Sequence, residues 1–108
     1  MAYNVMTYNQ YIAIACRDIL DARLEAFGYL MRHKKAEIYI KDFSNGREGG
    51  LVGIVFWSKE KDRYGDVLGP CYYSDKTNKE YLLDLDGKIF DKKTNRRVTG
   101  QYRRKSKR

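Results

Sequence analysis

The sequence predicts an α+β domain in which one N-terminal amphipathic helix packs on an antiparallel β-sheet. Three observations support this fold class. Apolar residues recur at helical spacing between Tyr8 and His33, they alternate with a period of two from Ile38 onward, and turn signals separate the alternating segments. A length of 108 residues corresponds to a single domain, which we place at residues 1–100.

The predicted helix runs from about Tyr8 to His33. Thr7 and Gln10 have the spacing of a capping box, so Thr7 is the expected N-cap. Arg23 interrupts the apolar stripe near its middle. We favour a side chain whose stem packs on the core while its charged head reaches water. A buried ion pair, or a guanidinium directed at a ligand, is the alternative interpretation.

The predicted sheet has about four to five strands. Asn45-Gly46 and Asp86-Gly87 favour tight hairpin turns, because both dipeptides tolerate positive φ angles. The chain around these turns is rich in β-branched and aromatic residues. The segments with this composition are residues 38–43, 51–58, 67–73, 81–85 and 88–90.

Alternation along the strands divides their side chains between two faces. The face expected to contact the helix carries Ile38, Ile40, Val52, Ile54 and Phe56. The opposite face, which we call the interaction face, is expected to carry Tyr39, Lys41, Phe43 and Trp57. Aromatic rings interleaved with a lysine are typical of surfaces that stack nucleic-acid bases, but the same composition suits a homodimer or another protein interface. We favour packing or oligomerisation for this face and keep base stacking as the alternative.

The net charge of +8 is located entirely at the C-terminal end of the chain. Residues 1–90 carry 13 basic and 13 acidic side chains, whereas residues 91–108 carry nine basic and one acidic side chain, and 9 − 1 = +8. Clustered cations bind phosphate backbones by releasing condensed counterions. The residues predicted to bind nucleic acid are Lys92, Lys93, Arg96, Arg97, Tyr102, Arg103, Arg104, Lys105, Lys107 and Arg108. Residues 101–108 are expected to form a flexible, disordered basic tail.

Several kinds of site are not expected. Cys16 and Cys71 form no CxxC pair and one histidine accompanies them, so a zinc site would need unusual ligands, and we expect no metal and no cofactor. Both thiols are expected to be small core residues of a reduced, cytoplasmic protein. No apolar run approaches the ~20 residues of a membrane span, and the first residues do not have the pattern of a secretory signal.

The leading hypothesis is a small intracellular binding protein, without enzymatic activity or catalytic residues. It would contact nucleic acid or a nucleoprotein complex through its basic C-terminal segment. One alternative is an accessory protein of a phage or other mobile element that binds and inhibits a host nucleoprotein enzyme. A second alternative is a small metal-independent ribonuclease, which needs only a few Arg, Lys and Tyr side chains. No stretch carries a motif specific enough to assign a family.

Overall fold

The computed structural model describes residues 2–7, 14–44 and 47–98, and it confirms the α+β class. Its elements are β1 (Ala2–Thr7), β2 (Ile14–Cys16), α1 (Ile19–Arg32), β3 (Ile38–Ser44), β4 (Arg47–Lys61), β5 (Val67–Ser74), β6 (Lys79–Leu83), β7 (Ile89–Asp91) and β8 (Arg97–Val98). Within the described ranges the strands form one antiparallel sheet in the order β2-β1-β3-β4-β5-β6-β7-β8. The sheet therefore has eight strands instead of the four to five expected. The predicted tail, residues 101–108, lies outside the described residues.

Within the described residues, the strand β2 replaces part of the first half of the expected helix. Ala15 and Cys16, which helical spacing places on the apolar stripe, belong to β2 and pair with β1. Thr7 lies opposite Ile38 at the end of β1, so it is not the helix cap. β1 has a strand partner on each side, and this pairing overrides the helical spacing of the sequence. Gln10, the other half of the expected capping box, lies outside the described part of the chain.

α1 begins at Ile19 because Asp18 supplies its cap. Asp18 Oδ1 accepts a hydrogen bond from the backbone N–H of Asp21 at 2.8 Å, which satisfies a donor that has no partner inside the helix. The helix lies against β1, β2, β3 and β4. Its buried residues are Ile19, Ala22, Arg23, Ala26 and Leu30. In the described ranges, no helix is long and apolar enough to cross a membrane.

The face that β4 turns toward α1 differs from the expected one at Ile54 and Phe56. Ile38 lies opposite Val55, Tyr39 opposite Ile54, and Ile40 opposite Gly53. Val55 therefore faces α1, and the expectation that Ile54 and Phe56 do so is wrong. A slip of one residue moves every side chain of a strand to the other face. The register also shifts immediately after Ile40, which separates the pairing near the turn from the pairing in the core.

Arg23 lies inside the molecule, between α1 and the sheet. Its exposed fraction is 0%, so the expectation that its charged head reaches water is wrong. The guanidinium carbon lies 4.8 Å from the ring centroid of Tyr72, which is a cation–π contact. Burial raises the pKa of Tyr72 to about 12, although the Arg23 charge acts in the opposite direction. The neutral phenol is therefore the form that packs against Arg23.

Gly53 leaves the space that the Tyr72 ring occupies. Gly53 faces α1, like its partner Ile40 on β3. A Cβ atom at residue 53 would overlap the ring of Tyr72. Glycine in a strand often marks such a close approach of another group to the backbone. Arg23 contacts Tyr72, and the Tyr72 ring in turn covers Gly53. We call these three residues the Arg23 stack.

Both cysteines are buried and neither forms a disulfide. Cys16 belongs to the core on the α1 side, as expected of a small apolar thiol. Cys71 lies opposite Phe56 on the other face of the sheet and is also fully buried. Burial raises the pKa of each thiol to about 11. Both are therefore held in the unreactive, protonated form at neutral pH.

Gly53→Ala is expected to lower the free energy of unfolding by about 1–3 kcal/mol, because the added methyl group must displace the Tyr72 ring. Gly50→Ala is the matched control, since a Cβ atom there meets nothing within 4 Å, and its effect should stay within about 0.5 kcal/mol. Urea unfolding followed by Trp57 fluorescence measures both values. Equal destabilisation by the two substitutions would contradict the packing described for the Arg23 stack.

Candidate nucleic-acid interface

The described basic residues of the C-terminal segment lie together at one edge of the sheet. Lys92, Lys93 and Arg96 belong to the turn between β7 and β8, and Arg97 begins the edge strand β8. The side chains of Lys93, Arg96 and Arg97 are exposed, whereas Lys92 is partly buried. The remaining residues predicted to bind nucleic acid lie outside the described part of the chain: Tyr102, Arg103, Arg104, Lys105, Lys107 and Arg108.

Asp91 holds the backbone of this basic turn. Its Oδ1 accepts hydrogen bonds from the backbone N–H groups of Thr94 at 3.0 Å and Lys93 at 2.8 Å. These bonds lower the pKa of the Asp91 carboxyl below its ordinary value. Asn95 closes the turn in the left-handed region, with φ of 61°. Lys93 therefore projects from a backbone that is fixed by hydrogen bonds.

Lys92 is engaged inside the protein. Its Nζ donates to Glu80 Oε1 at 2.7 Å and to Glu60 Oε1 at 3.3 Å. Burial lowers the pKa of Lys92, but the hydrogen bonds to Glu80 and Glu60 outweigh this effect and raise it overall. The sequence carries no local signal for this cluster, because its three members come from β4, from β6 and from the turn after β7. The ion pairs of Lys92 thus connect the turn after β7 to β4 and β6.

The outer half of the β4–β5 hairpin approaches the basic turn. The pairing of β4 with β5 shifts register between Ser58 and Lys61, and Gly69 on β5 has φ of 81°. Such irregularities bend a strand pair away from the plane of the sheet. Because of this arrangement Glu60, near the end of the long strand β4, reaches Lys92.

A cleft of about 560 Å³ lies between the tip of the β4–β5 hairpin and the basic turn. Residues 60–64 line one side and residues 92–95 line the other. Asp62 fixes the hairpin tip, since its Oδ1 accepts from the backbone N–H groups of Tyr64 at 2.8 Å and Asp66 at 3.0 Å. Tyr64 is 79% exposed at the rim of this cleft, which we call the hairpin cleft.

A second cleft, of about 460 Å³, adjoins the first. Lys92 and Lys93 line both clefts, so they form the wall between them. Tyr73 and Lys79 contribute to the lining of the second cleft. The hydroxyl of Tyr73 donates to Asn78 Oδ1 at 2.6 Å, which holds the ring in place. We call this second cavity the strand cleft.

The four residues of the expected interaction face do not form one surface. Tyr39, Lys41 and Phe43 lie on the face turned away from α1, but Trp57 lies on the α1 side of the sheet. The Trp57 ring contacts Lys34, whose Nζ is 4.8 Å from the ring centroid. The cause is the pairing of β4 with β3, which turns Gly53 and Val55, and with them Trp57, toward α1.

Two aromatic residues of the clefts were not among the predicted site residues. Tyr73 lies opposite Ile54 on the face turned away from α1. The adjacent pair Tyr72 and Tyr73 requires one ring on each face of a strand, but only the register determines which one is buried. A signal for Tyr64 was available, because it stands among polar residues just before Gly65, where a turn exposes the side chain.

Comparisons with known proteins give no match for this chain among family models, curated proteins or solved structures. The fold and the two clefts are therefore interpreted from their own chemistry.

Asp91→Asn is expected to make the free energy of unfolding fall less in acid than it does in the wild-type protein. Because the pKa of Asp91 is lowered by folding, the ionised carboxylate stabilises the folded state above its unfolded pKa of about 3.9, and this contribution is lost as pH falls through the lower, folded value. The free energy of unfolding of wild type and variant should therefore differ most near neutral pH and converge below about pH 4.

Denaturant unfolding at a series of pH values measures this convergence. Asp86→Asn is the matched control, since Asp86 is an exposed aspartate in the turn between β6 and β7. A difference between wild type and Asp91→Asn that stays constant from pH 7 to pH 3 would contradict the proposed role of the Asp91 carboxylate.

Proposed function

We propose that the protein binds nucleic acid, alone or within a nucleoprotein complex, through the basic residues of its C-terminal segment. The observation that carries this proposal is the exposure of Lys93 and Arg96 on a turn whose backbone is held by Asp91. Cations on a backbone that is already fixed bind phosphates without a further loss of backbone conformational entropy. Binding by such residues is electrostatic and depends little on base sequence.

The position of the turn also supports the proposal. β8 follows the turn as an edge strand, and the chain continues from Val98 toward the five basic residues of 101–108. A turn and a chain end with the same charge sign produce a local positive potential although residues 1–90 sum to zero. An anionic polymer would be attracted to this edge of the molecule.

The rim opposite the turn adds two exposed cations. Lys61 and Arg63 belong to the tip of the β4–β5 hairpin and line the hairpin cleft together with Lys93. Lys92, by contrast, forms ion pairs with Glu60 and Glu80 and contributes to the architecture. We therefore propose that Lys93, with the cations of the hairpin tip, contacts phosphate, and that Lys92 positions the turn.

Deletion of residues 101–108 is expected to flatten the salt dependence of binding. Each phosphate contact with a single strand contributes about −0.7 to the slope of log K against log salt concentration, so loss of five cations reduces the slope by at most about 3.5. Lys93→Ala should reduce it by about 0.7. Fluorescence anisotropy with a labelled oligonucleotide at several salt concentrations measures these slopes.

Lys35→Ala is the matched control, because Lys35 is an exposed lysine in the connection after α1, and the slope should not change. An unchanged affinity and an unchanged salt slope after deletion of residues 101–108 would contradict the proposed role of the C-terminal segment. A partner that is captured equally well after nuclease treatment would favour the protein-directed accessory role. Cleavage of labelled RNA in EDTA would favour the ribonuclease.

A further inference from the structure

The two clefts share a wall, and each contains one tyrosine. Tyr64 lines the hairpin cleft, Tyr73 lines the strand cleft, and Lys92 and Lys93 separate them. We infer that the pair of clefts is one binding site for single-stranded nucleic acid, in which each tyrosine stacks on a base and Lys93 contacts the phosphate between them. This inference rests on the proposed function, because it names the form of nucleic acid and the place where it binds.

The acidic residues of the clefts are already engaged within the protein. Glu60 and Glu80 accept from Lys92 Nζ. Asp62 and Asp91 accept from backbone N–H groups in their own turns. Each acidic side chain that lines either cleft thus has a partner from the protein itself. These carboxylates keep their negative charge, because Lys92 is a single cation shared by Glu60 and Glu80. One oxygen of each carboxylate is nevertheless engaged in a hydrogen bond within the protein.

The exposed cations of the clefts determine the sign of the electrostatic potential there. Lys61, Arg63 and Lys93 are exposed around the hairpin cleft, and Lys79 is exposed at the strand cleft. Together with Lys92 they give five cations against the four acidic residues of the two linings, so 5 − 4 = +1 is the net charge that an incoming ligand meets. The ligand favoured by this arrangement is an anion long enough to reach both clefts. A phosphodiester chain meets this requirement.

The tyrosines favour a single strand over a duplex. An aromatic ring stacks on a base only when the base is free of its neighbours, and in a duplex the base faces are stacked on one another. Volumes of about 560 and 460 Å³ lie within the range of about 300–1,000 Å³ typical of ligand sites. Tyr64 is 79% exposed, so it is available to a base without any rearrangement of the core.

Tyr64→Leu and Tyr73→Leu are expected to weaken binding of an eight-nucleotide oligo(U) or oligo(dT) by about tenfold each, because a base–aromatic stack is lost. The salt slope should remain unchanged, since neither variant removes a charge. Tyr73→Phe should retain the affinity, because phenylalanine keeps the stacking ring. A blunt twelve-base-pair duplex should compete weakly. Fluorescence anisotropy measures all four results.

Tyr29→Leu is the matched control, because Tyr29 lies on α1, away from both clefts. Circular dichroism before each titration establishes that every variant is folded, and Tyr64→Leu keeps the test valid even if Tyr73→Leu unfolds, since Tyr64 is largely exposed. Weaker binding of both cleft variants, with Tyr29→Leu unchanged, supports the inference.

Three results would overturn the inference. If both cleft variants bind the single strand like wild type, the clefts are not the base site, while the proposed function survives. If the duplex competes as well as the single strand, the stated specificity is wrong. If no nucleic acid of either form is bound in low salt, the proposed function itself fails together with the inference.

Discussion

The packing of Arg23 against Tyr72 is the constraint on which the rest of the structure depends. A fully buried guanidinium lies between the helix and the sheet, with its carbon 4.8 Å from the Tyr72 ring. The ring fits there because Gly53 has no side chain. Burial of a charge is costly unless its surroundings compensate it, so this part of the core tolerates few alternatives. The residue that leaves room for the ring must face α1, and this requirement determines the orientation of β4.

The orientation of β4 determines which residues reach the clefts. With Gly53 facing α1, Val55 and Trp57 do so as well, and Ile54 lies on the other face opposite Tyr73. Tyr73 is thereby directed away from the helix, where it lines the strand cleft. A slip of one residue would bury Tyr73 and expose its neighbour. The helix–sheet contact and the candidate site are therefore linked through strand register.

Local patterns predicted some parts of this structure and failed for others. The fold class and the later strands follow from alternation and turn residues, and the basic C-terminal segment follows from the positions of the charges. The start of the helix was misplaced, because Ala15 and Cys16 fit a helical stripe and a short strand equally well. The expected interaction face failed at Trp57, since the face of a residue depends on a register that no short segment determines. The ion pairs of Lys92 join distant strands, so no local pattern indicates them.

A neutral sum of charges over residues 1–90 does not make their surface neutral toward a ligand. In the two clefts, Glu60 and Glu80 hold Lys92, and Asp62 and Asp91 hold backbone turns. These carboxylates stabilise the loops and already have their partners in the folded protein. Four cations of the clefts are exposed to solvent, whereas Lys92 is partly buried; the four are Lys61, Arg63, Lys79 and Lys93. Three of the four acidic residues are exposed as well: Glu60, Asp62 and Glu80. Folding thus brings one more cation than carboxylate to the lining of the two clefts, and the proposed binding of an anion depends on this small excess.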